Sequence, residues 1–236
     1  MKPRLLDLFC GAGGAAVGYS RAGFEVVGVD IKPQPHYPFI FLAGDALETL
    51  RLLTGGASIG FGTPLHLTDF GAIHASPPCQ AFTAYRRKGH GVGDGYPDLI
   101  AATRTLLRQT GLPYVIENVK GAPLEDAAML CGSMFDPPLD VQRHRYFEWS
   151  GFDWLGAPLF CRHKLWAPRF PAATNRKENS RRTVEVGVRR IPLEIQQRAM
   201  GVDWNVTLEE LSQMVPPRYT ELIGHQLLQH IRRGTA

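Results

Sequence analysis

Residues Arg4 to Asp30 constrain the fold of this 236-residue chain more than any other stretch. Arg4 to Phe9 (RLLDLF) is an apolar run, Cys10-Gly11-Ala12-Gly13-Gly14 follows, and helical spacing continues to Arg21. A second apolar run, Glu25 to Val29, closes on Asp30. Strand, glycine turn, helix and strand open a parallel βαβ unit, which needs helices on both faces of its sheet. The glycines let a ligand approach the backbone, and the helix N-terminus offers N–H donors. An acid roughly 20 residues beyond such a turn can hold a ribose hydroxyl pair. A third apolar run, Phe39 to Ala43, ends in Gly44-Asp45. Asp45 is either a second acid facing an adenosine-type ligand or the N-cap of a helix from Ala46 to Leu53. No Walker lysine pattern is present, which argues against phosphate transfer.

The length suits one full α/β domain with a small appendage, and no apolar run reaches membrane-spanning length. Met1-Lys2-Pro3-Arg4 leads straight into the first strand without a cleavable apolar segment, so an intracellular protein is expected. Cys10, Cys79, Cys131 and Cys161 lack paired spacing, which predicts reduced thiols. Cys161 and His163, with His144 and Cys131, fit no usual zinc spacing, so no metal is predicted. A formal charge of +4 permits a polyanionic partner without requiring one.

Residues 54–68 are glycine-rich and predict a surface loop, after which the run Phe70 to Ile73 predicts a buried strand. It ends in His74-Ala75-Ser76-Pro77-Pro78-Cys79-Gln80. The two prolines fix φ and withdraw two donors, so a stiff loop presents the Cys79 thiol where ligands meet open α/β sheets. Beyond Gln80, Tyr85-Arg86-Arg87-Lys88 and alternating glycines to Gly95 predict a mobile cationic loop able to close on a substrate and touch phosphates. A helix is predicted over Asp98 to Gln109, and a strand from Pro113 to Ile116 that runs into Glu117-Asn118-Val119. A carboxylate at the end of a buried strand is paired or functional. Val141 to Trp149 alternates as a strand with Arg143 and Arg145 on one face. Residues 150–186 are irregular and carry Arg176, Lys177, Arg181 and Arg182, which predicts a loop-dominated insertion with a cationic face. Helices follow at Pro192 to Met200, at Leu208 to Met214 with a Thr207/Glu210 capping box, and at Tyr219 to Arg232.

With these pieces in order, the sequence resembles the cytosine carbon-5 DNA methyltransferases, especially their short phage and bacterial forms. Asp7-Leu8-Phe9-Cys10-Gly11-Ala12-Gly13-Gly14 looks like the family's cofactor motif, and Asp30 and Gly44-Asp45 like its acidic contacts. Ser76-Pro77-Pro78-Cys79-Gln80 is similar to the catalytic motif, Glu117-Asn118-Val119 to the glutamate motif, and Arg143-His144-Arg145 to the paired-arginine motif. Tyr219 to Leu228, centred on Gly224, is similar to the C-terminal motif. Ser76 stands where the family usually has glycine, Val141 where glutamine is common, and His225 where asparagine is usual. The insertion is far shorter than in restriction-type relatives.

The resemblance implies a Rossmann-like α/β fold, with residues 1–149 and 187–236 as the catalytic and cofactor-binding domain and 150–186 as a reduced target-recognition insertion. It implies S-adenosylmethionine as cofactor, held by Phe9, Gly11, Gly13, Gly14, Asp30, Ile31, Asp45, Ala46, Pro78, Gly224 and His225. It implies duplex DNA with a flipped-out cytosine as partner, met by Gln80, Tyr85, Arg86, Arg87, Lys88, Arg176, Lys177, Arg181 and Arg182. Cys79 would add to carbon 6 of the base, its pKa lowered by the loop and the following helix. Glu117 would meet the N3 edge, Arg145 the base carbonyl, and Arg143 the catalytic loop or a phosphate. A cytoplasmic, nucleoid-associated monomer in a bacterial cell or phage-infected host, without membrane or metal, completes the expectation, in keeping with restriction-modification chemistry. The alternatives are an RNA (tRNA-type) cytosine methyltransferase and a catalytically silent nucleic-acid-binding homologue.

Overall fold

The computed structural model describes residues 2–60, 62–79, 82, 98–141, 143–154, 160–161, 166–168 and 181–234, with backbone only at 166–168 and 181–182. Its centre is a seven-stranded sheet in the order β3-β2-β1-β4-β5-β7-β6. The strands are β1 (Arg4–Leu8), β2 (Glu25–Asp30), β3 (Ile40–Ala43), β4 (Ala72–Ala75), β5 (Tyr114–Asn118), β6 (Ala128–Leu130) and β7 (Arg145–Ser150). β1 to β5 pair in parallel, while β7 runs antiparallel to both β5 and β6. The chain leaves β1 toward β2 on one side and returns at β4 on the other. This reversal point is where an open sheet splays to admit a ligand.

Helices cover both faces, as parallel strands require. On one face Leu6, Leu8, Val27, Val29, Ile73 and Ile116 form a core beneath α2 (Ala46–Thr54) and α3 (Ile100–Thr110). On the other, Leu5, Val26, Ala72 and Val115 pack under α1 (Gly14–Ala22) and α6 (Pro217–Gly234). Burying a side chain of this size contributes roughly 1.5–3 kcal/mol. The α1–α6 contact is close because it uses a glycine: a Cβ on Gly18 would stand 2.0 Å from Thr220 Oγ1 and 2.1 Å from the Pro217 carbonyl. Thr220 Oγ1 donates to the Ala15 carbonyl at 2.9 Å.

Two short helices, α4 (Leu193–Met200) and α5 (Leu208–Gln213), lie between the insertion and α6. The expected capping box at Thr207 and Glu210 is formed. The insertion contributes a parallel pair, β8 (Trp166–Pro168) with β9 (Arg181–Thr183). Two sequence expectations change and one strand was not expected. Arg143 is not on a strand, because pairing begins only at Arg145 opposite Leu130, and Val141 instead bridges Val184. β6 has three residues and no pattern long enough to announce it. α6 begins at Pro217 rather than Tyr219, proline being well suited to a first helical turn. Among the described residues no helix is long and apolar enough to cross a membrane.

Candidate functional site

The turn after β1 and the turn after β4 meet at the reversal point: Cys10 N–H donates to Val29 O at 3.1 Å, and Ser76 N–H to Leu8 O at 3.1 Å. Between them opens a cleft of about 460 Å³, a size ordinary for small-molecule sites. Phe9, Gly11, Gly14, Asp30, Ile31 and Pro78, all expected at a cofactor site, line it. Phe9 and Gly11 adopt positive φ (56° and 49°), which turns the backbone sharply toward the opening.

Asp30 braces this turn. Its Oδ2 accepts from Gly11 N–H at 3.0 Å and its Oδ1 from Lys32 N–H at 2.9 Å, while each oxygen keeps a further lone pair for a hydroxyl. Ile31 beside it is 69 % exposed, a bare aliphatic surface at the lip suited to a flat ring. The opposite wall comes from Thr207 to Val215, which sequence reasoning did not place here. Gly14 is required for that approach, since a Cβ would stand 2.5 Å from Val215 O. Trp204 Nε1 fastens the same region by donating to Ala12 O at 3.0 Å.

The expected catalytic residues face the same cleft: Cys79, Glu117 and Arg145 all line it. Asn118 Nδ2 donates to Pro77 O at 2.9 Å, so the strand carrying Glu117 also holds the proline turn that presents Cys79. Arg145 Nε lies 2.9 Å from Glu117 Oε1, yet the N–H is not aligned with it, and this buried oxygen lacks an aligned donor. Burial raises the Glu117 pKa against the pull of Arg145 and Arg143. The Cys79 thiol is also raised, because burial outweighs the nearby Arg145 guanidinium. That reverses the expected lowering and leaves a protonated thiol in the free protein. Arg143 stands behind this group: its guanidinium donates to Ser212 O, its own carbonyl accepts from Tyr219 Oη at 2.6 Å, and burial lowers its pKa to about 9.

Beneath Glu117 runs a buried polar chain that the sequence did not reveal. Tyr19 Oη and His74 Nδ1 are 3.0 Å apart, His74 Nε2 and Ser76 Oγ are 2.9 Å apart, and the Ser76 hydroxyl draws the Glu117 pKa down against burial. Burial lowers the His74 pKa to about 3, so the ring is neutral. Asp7, also fully buried, is raised to about 8 by burial and accepts from Tyr37 Oη at 3.4 Å.

Other expected residues lie elsewhere. Asp45 is the N-cap of α2, its Oδ1 accepting from Glu48 N–H at 2.9 Å, and neither it nor Ala46 lines the cleft. Gly13 caps α1 against Tyr37 and Pro38. Gly224 serves helix packing, since a Cβ there would stand 2.7 Å from Ala22 Cβ, and His225 is exposed on α6. Gln80, Tyr85, Arg86, Arg87, Lys88, Arg176 and Lys177 lie outside the described residues, as do the side chains of Arg181 and Arg182. A glycine-floored cleft with a braced carboxylate, an exposed aliphatic lip and an adjoining thiol and carboxylic acid fits an adenosine-bearing cofactor beside a reactive base.

Comparison with known proteins agrees. The profile of the C-5 cytosine-specific DNA methylases matches residues 3–127. The Type II methyltransferase M.HgiDI of Herpetosiphon aurantiacus is 26% identical over 136 residues, a match spanning 51% of this chain and 38% of that protein's length. Among solved structures, a prophage-encoded protein of E. coli assigned as a DNA modification methyltransferase aligns with TM-score 0.63 and 14% identity over 98% of this chain and 99% of its own. S. pombe Dnmt2 methyltransferase aligns with TM-score 0.54 and 12% identity over 100% of both chains. The Entamoeba histolytica methyltransferase EhMeth gives 0.55 and 12% over 100% of this chain and 99% of its own.

Proposed function

The chain belongs to the C-5 cytosine-specific DNA methylase family, and on that premise we propose that it transfers a methyl group from S-adenosylmethionine to carbon 5 of cytosine in duplex DNA. The observation that carries this reading is the shared cleft: Cys79, Glu117 and Arg145 line the same opening as Phe9, Gly11, Asp30 and Ile31. S-adenosylmethionine supplies an electrophilic methyl group. Phe9, Gly11, Asp30 and Ile31 would hold its adenosine, with Gly14 giving room for the wall at Met214 and Val215.

Carbon 5 of cytosine is a poor nucleophile until carbon 6 has accepted one, and a thiolate does this best. Cys79 gives its proton to water in the open cleft and adds as the thiolate to carbon 6, while Glu117, its pKa raised by burial, shares a proton with N3 and limits charge on the ring. Arg145, whose Nε–H is not aligned on Glu117, polarises the carbonyl of the base. Once carbon 5 carries the methyl group, water takes the carbon 5 proton, the C5–C6 double bond re-forms as Cys79 is expelled as the thiolate, and N3 returns its proton to Glu117. The base must leave the duplex to reach this cleft. Residues 1–149 and 187–236 act in this reading as the catalytic unit and 150–186 as the recognition insertion, with Tyr85 to Lys88 and the insertion arginines meeting phosphates.

Incubation with duplex DNA containing 5-fluorocytosine plus S-adenosylmethionine tests it, since fluorine cannot leave as a proton does. A covalent protein–DNA band that is absent in Cys79→Ala is expected. A band on fluorinated RNA but not DNA would reassign the substrate, and no band on either would overturn the reading.

A further inference from the structure

Away from the cleft, the fold gathers three residues whose sequence spacing gave no metal pattern. Cys131 follows β6, His144 sits immediately before β7, and Cys161 lies in the insertion. Their ligand atoms all lie within 4.8 Å of one another. His144 Nε2 is 3.4 Å from Cys161 Sγ. Tetrahedral zinc, with Zn–S near 2.3 Å and Zn–N near 2.0 Å, sets neighbouring S and N atoms about 3.6 Å apart and two sulfurs about 3.8 Å apart. The pair His144 and Cys161 is already close to that spacing, and the other pairs need close by at most about 1.2 Å from their 4.8 Å limit.

The surroundings fit thiolates. Ser133 Oγ lies 3.4 Å from Cys131 Sγ and 3.5 Å from Cys161 Sγ, and the Ser133 backbone N–H also bonds to Cys131. A hydroxyl has one proton and cannot serve two sulfurs at once. Donors turned on a sulfur from its own turn are the usual support of a metal-bound thiolate. The turn is held rigidly, because a Cβ on Gly132 would stand 2.2 Å from Val141 O. Two thiolates with an imidazole favour zinc over hard cations such as magnesium or calcium.

We propose that Cys131, His144 and Cys161 bind a zinc ion that fastens the start of the insertion to the edge of the catalytic sheet. The fourth position belongs to water. His144 lies between Arg143 and Arg145, so the ion also fixes the backbone from which both arginines reach the catalytic group. The role is structural, and zinc binding can be tested without the proposed reaction.

The test uses the full chain purified without chelator, dialysed, and analysed for metal by mass spectrometry. About one zinc per chain is expected, falling to background in Cys131→Ser/Cys161→Ser. Should that variant fail to fold, two measurements on the wild-type protein decide. Cobalt chloride added to chelator-treated protein should give the thiolate-to-cobalt charge-transfer band and the intense visible bands of a tetrahedral site. Cys131 and Cys161 should resist iodoacetamide until chelator is added. Protein that retains no zinc and gives no cobalt band, or that carries a Cys131–Cys161 disulfide, would overturn the proposal, as would undiminished zinc in a folded double variant.

Discussion

Arg104→Met should be the most damaging single change outside the cleft. Arg104 projects from α3 onto Glu148 of β7 with two parallel hydrogen bonds, Nε to Oε1 at 2.6 Å and an Nη to Oε2 at 2.7 Å. Both groups are buried, at 8 % and 3 % exposure. With the guanidinium gone, Glu148 keeps the Glu125 N–H at 2.9 Å but no countercharge. The Pro123 carbonyl, which now accepts from Arg104 at 2.7 Å, loses that donor. Stranding one member of a buried ion pair costs about 3–5 kcal/mol, which for a chain of this size lowers Tm by roughly 6–20 °C. Arg104→Met/Glu148→Leu should recover most of that loss, because the uncompensated charge goes with its partner. Urea titrations of the wild type, both single variants and the double variant give the coupling directly. A single-variant loss below about 1 kcal/mol, or a double variant as unstable as the two losses added, would refute the reasoning.

Four further outcomes follow from the site and the core. Cys79→Ser should abolish transfer while S-adenosylmethionine still binds, and turnover in that variant would remove the thiolate mechanism. Alkylation of Cys79, followed on its peptide, should have a pH midpoint above that of a free thiol because burial raises its pKa; Arg145→Gln should move it higher still, since that cation pulls it down. An unmoved or lowered midpoint would contradict this. His74 titrates near 6.5 unfolded and about 3 folded, so the unfolded chain binds more protons in between and stability falls as pH drops through that window. The loss is about 2 kcal/mol at pH 5, and His74→Gln should flatten the slope between pH 6.5 and 5; an unchanged slope would assign it to other groups. Gly18→Ala should cost at least 1–3 kcal/mol through the clash with Thr220 and Pro217, whereas a neutral result would mean that α6 shifts freely.

The first half of the sheet was legible because strand, glycine turn, helix and terminal acid are local patterns. So was the turn at Cys79, where two prolines leave little choice of conformation. Legibility failed where long-range packing decides. The alternation from Val141 onward looked like one strand, but a ladder needs a partner, and β6 reaches only as far as Arg145. Gly224 resembled a cofactor residue, yet its small size serves the contact with Ala22. The wall at Thr207 to Val215 carries no local sign that it faces Gly14. Nothing local marked His74 as a buried neutral ring, because its neutrality comes from burial and its Tyr19 partner reaches it from α1, 55 residues away. Cys131, His144 and Cys161 lie too far apart in sequence to form a motif, and only the β6–β7 pairing and the insertion bring them together.

The seam between α1 and α6 also sets a schedule. Thr220 reaches back to Ala15 across 205 residues, so during synthesis the outer face of α1 waits for α6. At about 5–20 residues per second, that wait is about 10–40 s of synthesis. Throughout it Tyr19 and Ala22 have no cover from α6, and Gly14 has no opposing Met214 or Val215 to complete a ligand pocket. A small molecule therefore meets only one wall of the cleft on the nascent N-terminal half. The cleft gains its second wall only when Thr207 to Val215 is made, and the apolar face of α1 gains its cover only when α6 follows.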